Sequence, residues 1–408
     1  MATSGNFVQL HNHTHYSLLD GASKIPDLVK RAKELNMPAV GITDHGNMHG
    51  AYEMWSTAVK EGVKPIIGIE AYVTPETARQ DQTRVSWDTN WNPDIDPQHR
   101  RRNPNDVSGG GLITHLTMWA ETDEGLVNLM KASTDANLEG RVMRYPRMDK
   151  EILAKYSKGI IASSGCPSGI IQTRLLLGQF DEALRAAGEL QDIFGRDNFY
   201  IEFMDHGLKI EKQVTDGLLD IAKKLNAPLL ATNDSHYVRA EDAGSQDAML
   251  CINSGSTLDE PGRFKFDGTG YYLKSAEEMR ELFKDIPEAC DNTLEIAERC
   301  NVMFDDHEDG AFMPQFDCPE GWDETSLFLR KVEEGLEQRY DGHPPIEVLK
   351  QADYECGVIC QMQFCGYFLV VADYINWAKS HGVMVGPGRG SAAGAWWRTH
   401  GHHRTRPD

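Results

Sequence analysis

Histidine, carboxylate and cysteine side chains stand in or just after one apolar run after another along this chain. Together they offer imidazole, carboxylate and thiolate ligands, which favour zinc, manganese or iron over magnesium alone. Nine ligands exceed what one cation needs, so the set predicts two or three divalent metal ions with bridging carboxylates or a bridging thiolate. The predicted metal ligands are His11, His13, Asp20, His45, Glu70, His115, Cys166, Asp234 and His236.

This ligand chemistry predicts phosphoester hydrolysis. Two cations about 3.5–4 Å apart can clamp an in-line displacement at phosphorus and supply hydroxide near neutral pH. Among the ligands, His13, Asp20 and Asp234 are predicted to take part in catalysis directly. His206 follows a strand end and is predicted to assist from outside the metal shell.

Simpler interpretations stay open for some of these residues. Cys166 lies in a predicted strand-to-helix turn, 164–169, and an ordinary packed thiol is the alternative to a ligand. His206 is also compatible with a core histidine whose ring nitrogens are bonded inside the protein. His49 is expected to be an ordinary surface histidine.

Seven short apolar segments are predicted to be the strands that position these side chains, with helical apolar spacing between most of them. Alternating strands and helices predict parallel β/α units, and seven units fit a closed barrel better than an open sheet. In such barrels the functional residues collect at the carboxyl ends of the strands. The predicted strands are 7–11, 38–43, 65–69, 112–119, 159–163, 199–203 and 228–232, and the helices are 25–35, 50–61, 122–138, 180–193 and 208–225.

Two segments depart from the alternation. Residues 75–110 are rich in Asp, Asn, Arg, Pro and Gly, which predicts a long surface loop. From about residue 275 the pattern becomes helical, opening with the capping-box spacing of Ser275 and Glu278. A new domain is therefore expected to start between 275 and 310, and we divide the chain into a barrel, 1–275, and a mainly helical segment, 276–394.

Composition narrows the function classes. The formal net charge of −21 argues against a wide basic surface that wraps a duplex. It does not exclude nucleic acid, because bound divalent cations offset carboxylate charge and can hold a phosphate. The basic stretches 99–102 and 141–150 are expected to be solvated loop charge.

Cellular location is predicted from what the sequence lacks. No run of about 18 apolar residues exists, so no membrane partner is expected. The N-terminal residues have no basic and apolar pattern of a secretion signal. The eight cysteines are dispersed without a CxxC pair, which predicts reduced thiols and a cytoplasmic protein.

A glycine-rich loop, 386–394, is a candidate phosphate site. Glycines let backbone amides approach a phosphate, and an arginine can grip it with two hydrogen bonds. A flexible turn is the competing interpretation. The predicted binding residues are Gly388, Arg389, Gly390 and Ser391.

Taken together, the motifs resemble the PHP (polymerase and histidinol phosphatase) domain. The match is closer to the PHP domain at the N-terminus of bacterial DNA polymerase III alpha subunits, the C-family replicative polymerases. The resemblance runs from about residue 7 to 394. The motifs that carry it include His11-Asn12-His13-Thr14-His15, Thr43-Asp44-His45-Gly46, Gly68-Ile69-Glu70-Ala71-Tyr72, Gly165-Cys166-Pro167-Ser168-Gly169 and Ala231-Thr232-Asn233-Asp234-Ser235-His236.

The resemblance implies a distorted (β/α)7 barrel followed by the beginning of a C-family palm. All nine predicted ligands match the metal positions of the family. In members that keep the full set, the site is similar to a metal-dependent 3′→5′ exonuclease that proofreads a mismatched primer 3′ end. His15 departs from the family, whose members usually carry an acidic residue there, but it is not one of the nine.

For the second segment, the resemblance implies that Arg389 and Ser391 face the triphosphate of an incoming dNTP, with Mg²⁺, in a full-length polymerase. There the partners would include DNA, the sliding clamp and the clamp loader. The family's catalytic palm carboxylates lie beyond this loop, so the chain alone is not expected to polymerise DNA.

The last residues, 395–408, do not resemble the family, and we hypothesise a frameshift in their coding sequence. A shift of one base would turn codons for Ala-Trp-Trp-Arg-Thr-His into codons for Leu-Val-Ala-Tyr-Ala, which the family sequence resembles. The leading interpretation is thus an N-terminal piece of a replicative polymerase alpha subunit with a proofreading exonuclease. The alternatives are a free-standing PHP phosphatase acting on a small phosphomonoester and a non-catalytic metal-binding structural module.

Overall fold

The computed structural model describes residues 6–89, 103, 105–304 and 315–386. The chain divides into two compact units between Phe304 and Asp305. Outside the described residues lie residues 387–394 of the glycine-rich loop, the basic stretch 99–102 and the tail 395–408.

The first unit has an α/β fold with a mixed β-sheet at its centre. Its strands are β1 Ala39–Ile42, β2 Lys64–Val73, β3 Thr114–Ala120, β4 Arg141–Val142, β5 Tyr145–Met148, β6 Ile160–Ser163, β7 Phe199–Phe203 and β8 Leu229–Ala231. Strand β2 pairs with β1 and β5 in parallel and with β3 on its other edge, and the sheet continues through β6, β7 and β8.

Residues 9–13 link the two edges of this sheet. The Gly41 amide donates to the Gln9 carbonyl at 2.8 Å beside β1, and the His13 amide donates to the Ser235 carbonyl at 2.7 Å just after β8. The predicted strand at 7–11 is therefore present only as isolated parallel bridges, at Gln9 and Asn12. These bridges are consistent with the predicted seven-stranded barrel.

The packing inside the sheet supports the same arrangement. One buried cluster takes apolar side chains from the N-terminal segment and from β1, β2, β3, β6, β7 and β8, so these side chains face a common interior. Its members are Val8, Leu10, Ala39, Ile66, Trp119, Ile161, Tyr200, Leu230, Ile296, Ala297 and Cys300.

Strand β3 corrects the prediction of parallel units throughout, because it runs antiparallel to both β2 and β6. The connection from β2 to β3 is the long segment 74–113, and its described part holds only one four-residue helical turn, α3, Ser108–Gly111. Without a crossover helix the chain re-enters the sheet from the end at which it left. The start of β3 therefore lies at the carboxyl end of β2, and His115 pairs with Tyr72.

The described parts of segment 75–110 are irregular, as predicted, but they are anchored to the first unit. Trp87 is buried, and the guanidinium of Arg174 lies 3.8 Å from the centre of its ring. The Gln179 side chain donates to the Trp87 carbonyl at 2.7 Å. This part of the loop is held against the helices that follow β6.

Helices surround the sheet, and the second helix after residue 275 packs against its strands. The Val8 amide donates to Thr293 Oγ1 of this helix at 3.1 Å, and Asn292 of the same helix donates to the Leu229 carbonyl at 2.7 Å. The helices are α1 Ile25–Glu34, α2 Ala51–Glu61, α4 Asp123–Glu139, α5 Lys150–Lys155, α6 Ile170–Leu176, α7 Phe180–Phe194, α8 Lys209–Leu225, α9 Ala243–Ser254, α10 Ala276–Leu282 and α11 Pro287–Arg299.

The described second unit is helical, as predicted. It contains α12 Glu324–Arg339, α13 Ile346–Gln361 and α14 Cys365–Ser380, which share a small apolar core. In the described part of the chain no single helix is long and apolar enough to cross a membrane. The bent pair α13 and α14, at 113°, passes that test only when the two helices are taken together.

Candidate metal centre

All nine predicted ligands lie at one end of the sheet. His11 and His13 are in the segment that bridges β1 and the end of β8, and Glu70 is in β2. The others follow β1, β6 and β8, except Asp20, which lies in the loop before α1, and His115. The antiparallel direction of β3 brings His115 to the same end, although it stands near the start of its strand.

Glu70 is the centre of the cluster. This buried carboxylate faces four imidazoles, because its side chain points into the ring of strand ends. Its Oε2 lies 2.6 Å from His45 Nδ1 and 3.6 Å from His13 Nε2, and its Oε1 lies 3.1 Å from His115 Nδ1 and 3.6 Å from His11 Nε2. A single carboxylate in this position can bridge cations on its two sides.

Two further carboxylates flank Glu70. Asp234 Oδ1 lies 3.0 Å from His13 Nε2 and 3.4 Å from His11 Nε2. Asp20 Oδ2 lies 2.8 Å from His45 Nε2 and 3.2 Å from His236 Nε2. Every carboxylate of the predicted set therefore contacts two or more of its histidines.

Cys166 joins the cluster through His115. Its Sγ lies 3.4 Å from His115 Nδ1, and the thiol is buried in the turn between β6 and α6. Gly165 precedes it with φ at +80°, a backbone conformation that glycine adopts without strain. Burial raises the pKa of the Cys166 thiol well above its usual range, and the charges of Glu70 and Asp234 raise it further. A bound cation would reverse this preference, since a metal-coordinated thiol is deprotonated.

The arrangement fits metal ions. Several ligand atoms are buried and have no hydrogen-bond partner, which is costly unless another group binds them. These atoms are His11 Nε2, His13 Nε2, His45 Nδ1, both carboxylate oxygens of Glu70 and Asp234 Oδ1. Three groups have ligand atoms within 4.8 Å of one another: His13, His45 and His236; His11, His13 and Glu70; His45, Glu70 and His115.

Charges inside the cluster compensate each other. Burial alone would raise the pKa of the Glu70 carboxyl, but His115 and His45 hold it well below its usual range. Burial alone would lower the pKa of His45, but Glu70 raises it well above the ordinary value. His13 is different, because burial and the neighbouring His45 and His236 lower its pKa to about 3. Its imidazole is therefore neutral and offers a lone pair.

Outer residues orient the histidines. His11 Nδ1 donates to Glu202 Oε1 at 2.8 Å, which directs its Nε2 into the cluster. His13 Nδ1 lies 3.0 Å from Ser17 Oγ, and Ser17 in turn donates to Asp44 at 2.7 Å. Partners of this kind fix the ring orientation and tautomer of metal-bound histidines.

Glu202 and Asp44 were not predicted as site residues. Glu202 stands in a predicted strand that is otherwise apolar, where a buried carboxylate needs partners. Its oxygens accept from Thr232 Oγ1 at 2.6 Å and from Ser163 Oγ. The sequence feature that could have identified Glu202 is a glutamate inside an otherwise apolar strand. Asp44, next to the predicted ligand His45, accepts from the Thr14 amide at 2.6 Å.

Three other histidines among the described residues of the first unit lie outside the cluster. His206 contacts Glu211 Oε1 through Nδ1 at 2.6 Å and the Asn233 carbonyl through Nε2 at 2.8 Å, so both ring nitrogens have other partners. The structure therefore does not bring His206 to the ligands. His15 and His49 are exposed.

Comparisons with known proteins agree with this arrangement. Residues 9–206 match the PHP domain, and residues 326–398 match the bacterial DNA polymerase III alpha NTPase domain. DNA polymerase III subunit alpha of Mycobacterium tuberculosis is 50% identical over 395 residues, which are 97% of this chain and 32% of that protein. The subunit of Mycobacterium leprae is 51% identical over 96% of this chain and 32% of that protein. The subunit of Treponema pallidum is 40% identical over 95% of this chain and 31% of that protein.

The chain thus spans about a third of the length of the curated relatives that it matches. The PHP match lies in the first unit and the polymerase match in the second. The chain therefore carries a PHP domain in its first unit and a segment of the bacterial DNA polymerase III alpha NTPase type in its second.

Proposed function

We propose that the first unit is a metal-dependent 3′→5′ exonuclease that acts on the primer end during DNA replication. The observation that supports this most is the set of buried ligand atoms that lack hydrogen-bond partners and lie in overlapping groups around Glu70. Such a set suits two or three divalent cations, with zinc or manganese preferred and iron also compatible with the ligands.

The nine predicted residues would hold the cations, and Glu70 lies at the centre of this set. When bound, the cations supply Lewis-acid stabilisation of the phosphate and an activated water. Glu202 and Ser17 keep His11 and His13 oriented, so that their Nε2 atoms face Glu70 and Asp234. His13, Asp20 and Asp234 are the residues that we propose as catalytic.

The proposed reaction is hydrolysis of the terminal phosphodiester. A water oxygen bonds to phosphorus, and the bond from phosphorus to the 3′ oxygen of the penultimate nucleotide breaks. The 3′ oxygen leaves with a proton. The products are a nucleoside 5′-monophosphate and a DNA strand that is one nucleotide shorter and carries a free 3′ hydroxyl.

DNA is the proposed substrate because the chain continues into a second unit of polymerase type. That unit would not be needed to hydrolyse a small phosphomonoester. In the longer polymerase we propose the sliding clamp and the clamp loader as partners and the cytoplasm as the location. The glycine-rich loop with Arg389 and Ser391 is proposed to contact dNTP and Mg²⁺ there.

The test compares two substrates and three proteins. Purified protein loaded with Mn²⁺ or Zn²⁺ is given a 5′-labelled single-stranded oligonucleotide or p-nitrophenyl phosphate, as wild type, His13→Ala and His49→Ala. We expect stepwise shortening of the oligonucleotide by wild type and by His49→Ala, and loss by orders of magnitude in His13→Ala. A fully metal-loaded wild type that leaves the oligonucleotide intact would favour the structural module, and faster turnover of p-nitrophenyl phosphate would favour the phosphatase.

A further inference from the structure

A cavity of about 370 Å³ opens beside the metal centre, between α9 and the loop that precedes α10. We call it the Phe266 pocket. Its walls include the apolar side chain of Leu250 and the aromatic rings of Tyr237 and Phe266, and Lys265 stands among the residues that line it. Its size lies at the lower end of the range for pockets that hold small organic groups.

The pocket shares residues and contacts with the metal centre. The Phe266 ring meets the ring of the predicted ligand His236 edge-on, with centroids 4.7 Å apart. Tyr237 directly follows His236 in the chain. Gln246, another lining residue, donates to the backbone carbonyl of the predicted ligand Asp20. A group bound in the pocket would therefore be adjacent to any phosphate held at the cations.

The lining offers an aromatic surface and a cation. Phe266 is partly exposed, whereas Leu250 and Tyr237 are buried behind the pocket surface. Lys265 is exposed, and within the described residues its ammonium makes no ion pair. A flat aromatic ligand with an attached phosphate matches this combination, because bases stack on aromatic side chains and ammonium groups attract phosphates.

We propose that the Phe266 pocket binds the base of the terminal nucleotide while its phosphate lies at the metal centre. This inference rests on the proposed exonuclease function and names the part of the substrate that the protein holds. The base stacks on Phe266, and Lys265 attracts the backbone of the same strand. The pocket then acts as a subsite that selects nucleotides over simple phosphate esters.

Equilibrium binding tests the subsite without relying on turnover. The Mn²⁺-loaded 408-residue chain is titrated calorimetrically with dAMP and with 2-deoxyribose 5-phosphate, which lacks the base. Stacking of one base on an aromatic side chain predicts about tenfold tighter binding of dAMP. In Phe266→Ala this difference should disappear, while binding of the sugar phosphate stays unchanged. Equal affinity of the two ligands in the wild type would overturn the proposal.

Matched variants separate the pocket from a general loss of structure. Phe264→Ala removes a neighbouring exposed phenylalanine that does not line the pocket, and it should keep the base-dependent difference. Phe266→Leu retains apolar volume but not the aromatic face, and it should lose most of the difference at unchanged metal content. Retention of the full difference in Phe266→Leu contradicts stacking as the source of selectivity.

A second pair of ligands distinguishes a strand end from a free nucleotide. Short oligonucleotides that end in a normal or an abasic 3′ residue should differ by a similar factor in wild type and not in Phe266→Ala. No difference between them, with a difference for dAMP, would contradict the strand-end assignment. If binding depends on the base but DNA is not shortened, the proposed exonuclease function is wrong and the pocket proposal stands. If DNA is shortened at equal rates with and without the terminal base, the exonuclease function stands and the pocket proposal is wrong.

Discussion

At the scale of single residues, Glu70 shows why the cluster is suited to cations. Its two buried oxygens face four imidazoles, yet within the described residues neither oxygen has a partner at the angles of a regular hydrogen bond. A buried carboxylate without hydrogen bonds is expensive unless its charge is compensated at close range. Divalent cations would satisfy Glu70 and the facing nitrogen atoms at the same time.

Replacement of Asp20 by asparagine tests the catalytic set. Asp20→Asn keeps the size of the side chain but removes the charge that faces His45 and His236. We expect the exonuclease rate to fall by orders of magnitude while the circular dichroism spectrum stays unchanged. An unaltered rate would exclude Asp20 from the site.

Metal binding should release protons. Burial by itself opposes the charged form of His11, but Asp234, Glu202 and Glu70 raise its pKa to about 9, and the pKa of His45 is also raised. The His11 ring is therefore protonated at pH 7 before a cation binds, and protons compete with the metal for both histidines. Affinity for Zn²⁺ should rise between pH 6 and pH 8, with proton uptake by the buffer detected calorimetrically. Affinity that does not change with pH would contradict ligation by these histidines.

The residue types and their spacing grouped nine side chains that lie together in the structure, and their role as metal ligands stays a prediction. The residues that orient the ligands were harder to predict, because a sequence does not show which buried side chain orients another.

The burial of single charged residues was also missed. Arg147 falls in the stretch 141–150, which was expected to be solvated loop charge. The structure buries it completely, and its guanidinium donates to the carbonyls of Arg79 and Asp81 at 2.7 Å each.

At the scale of elements, strand direction decides whether the site can form. If β3 ran parallel to β2, His115 would stand at the opposite end of the sheet from Glu70. Apolar periodicity predicted the segment 112–119 but carries no information on direction. The direction comes from the β2–β3 connection, which lacks a crossover helix in its described part.

Periodicity also missed elements with weak local signals. The hairpin of β4 and β5 turns at Met143, whose φ is +55°, instead of at the glycine or asparagine that usually marks such a turn. Helix α9 has few apolar residues on a regular face, since Gly244, Ser245 and Asp247 interrupt the pattern. By contrast, α1, α2, α4, α7 and α8 lie within a residue or two of their predicted bounds.

A close approach between two elements gives a stability prediction. A Cβ atom at Gly125, in the first turn of α4, would lie 1.7 Å from the Gly159 carbonyl oxygen, which is backbone and has little room to move. Gly125→Ala should lower the free energy of unfolding by about 3 kcal/mol. Gly188→Ala in α7 is the matched control, because its nearest neighbour would be 3.9 Å away. Urea unfolding measures both, and equal stability of the two variants would contradict the close approach.

At the scale of the whole molecule, the net charge and the proposed substrate repel each other. The net charge is −21, and DNA is itself a polyanion. Long-range attraction of DNA to such a surface is not expected. Bound cations would invert the charge locally, so we propose the metal centre as the place where a strand end is held. The division into two units, with the boundary after Phe304, keeps this centre entirely within the first unit.

Metal content of the purified 408-residue chain is the most direct test of the central claim. After loading with Zn²⁺ or Mn²⁺ and removal of excess metal, mass spectrometry should find about two or three tightly held cations per chain, as a multi-metal phosphoesterase site requires. His13→Ala should lose at least one of them, and His49→Ala should lose none. A wild-type chain that retains less than one cation would contradict the account.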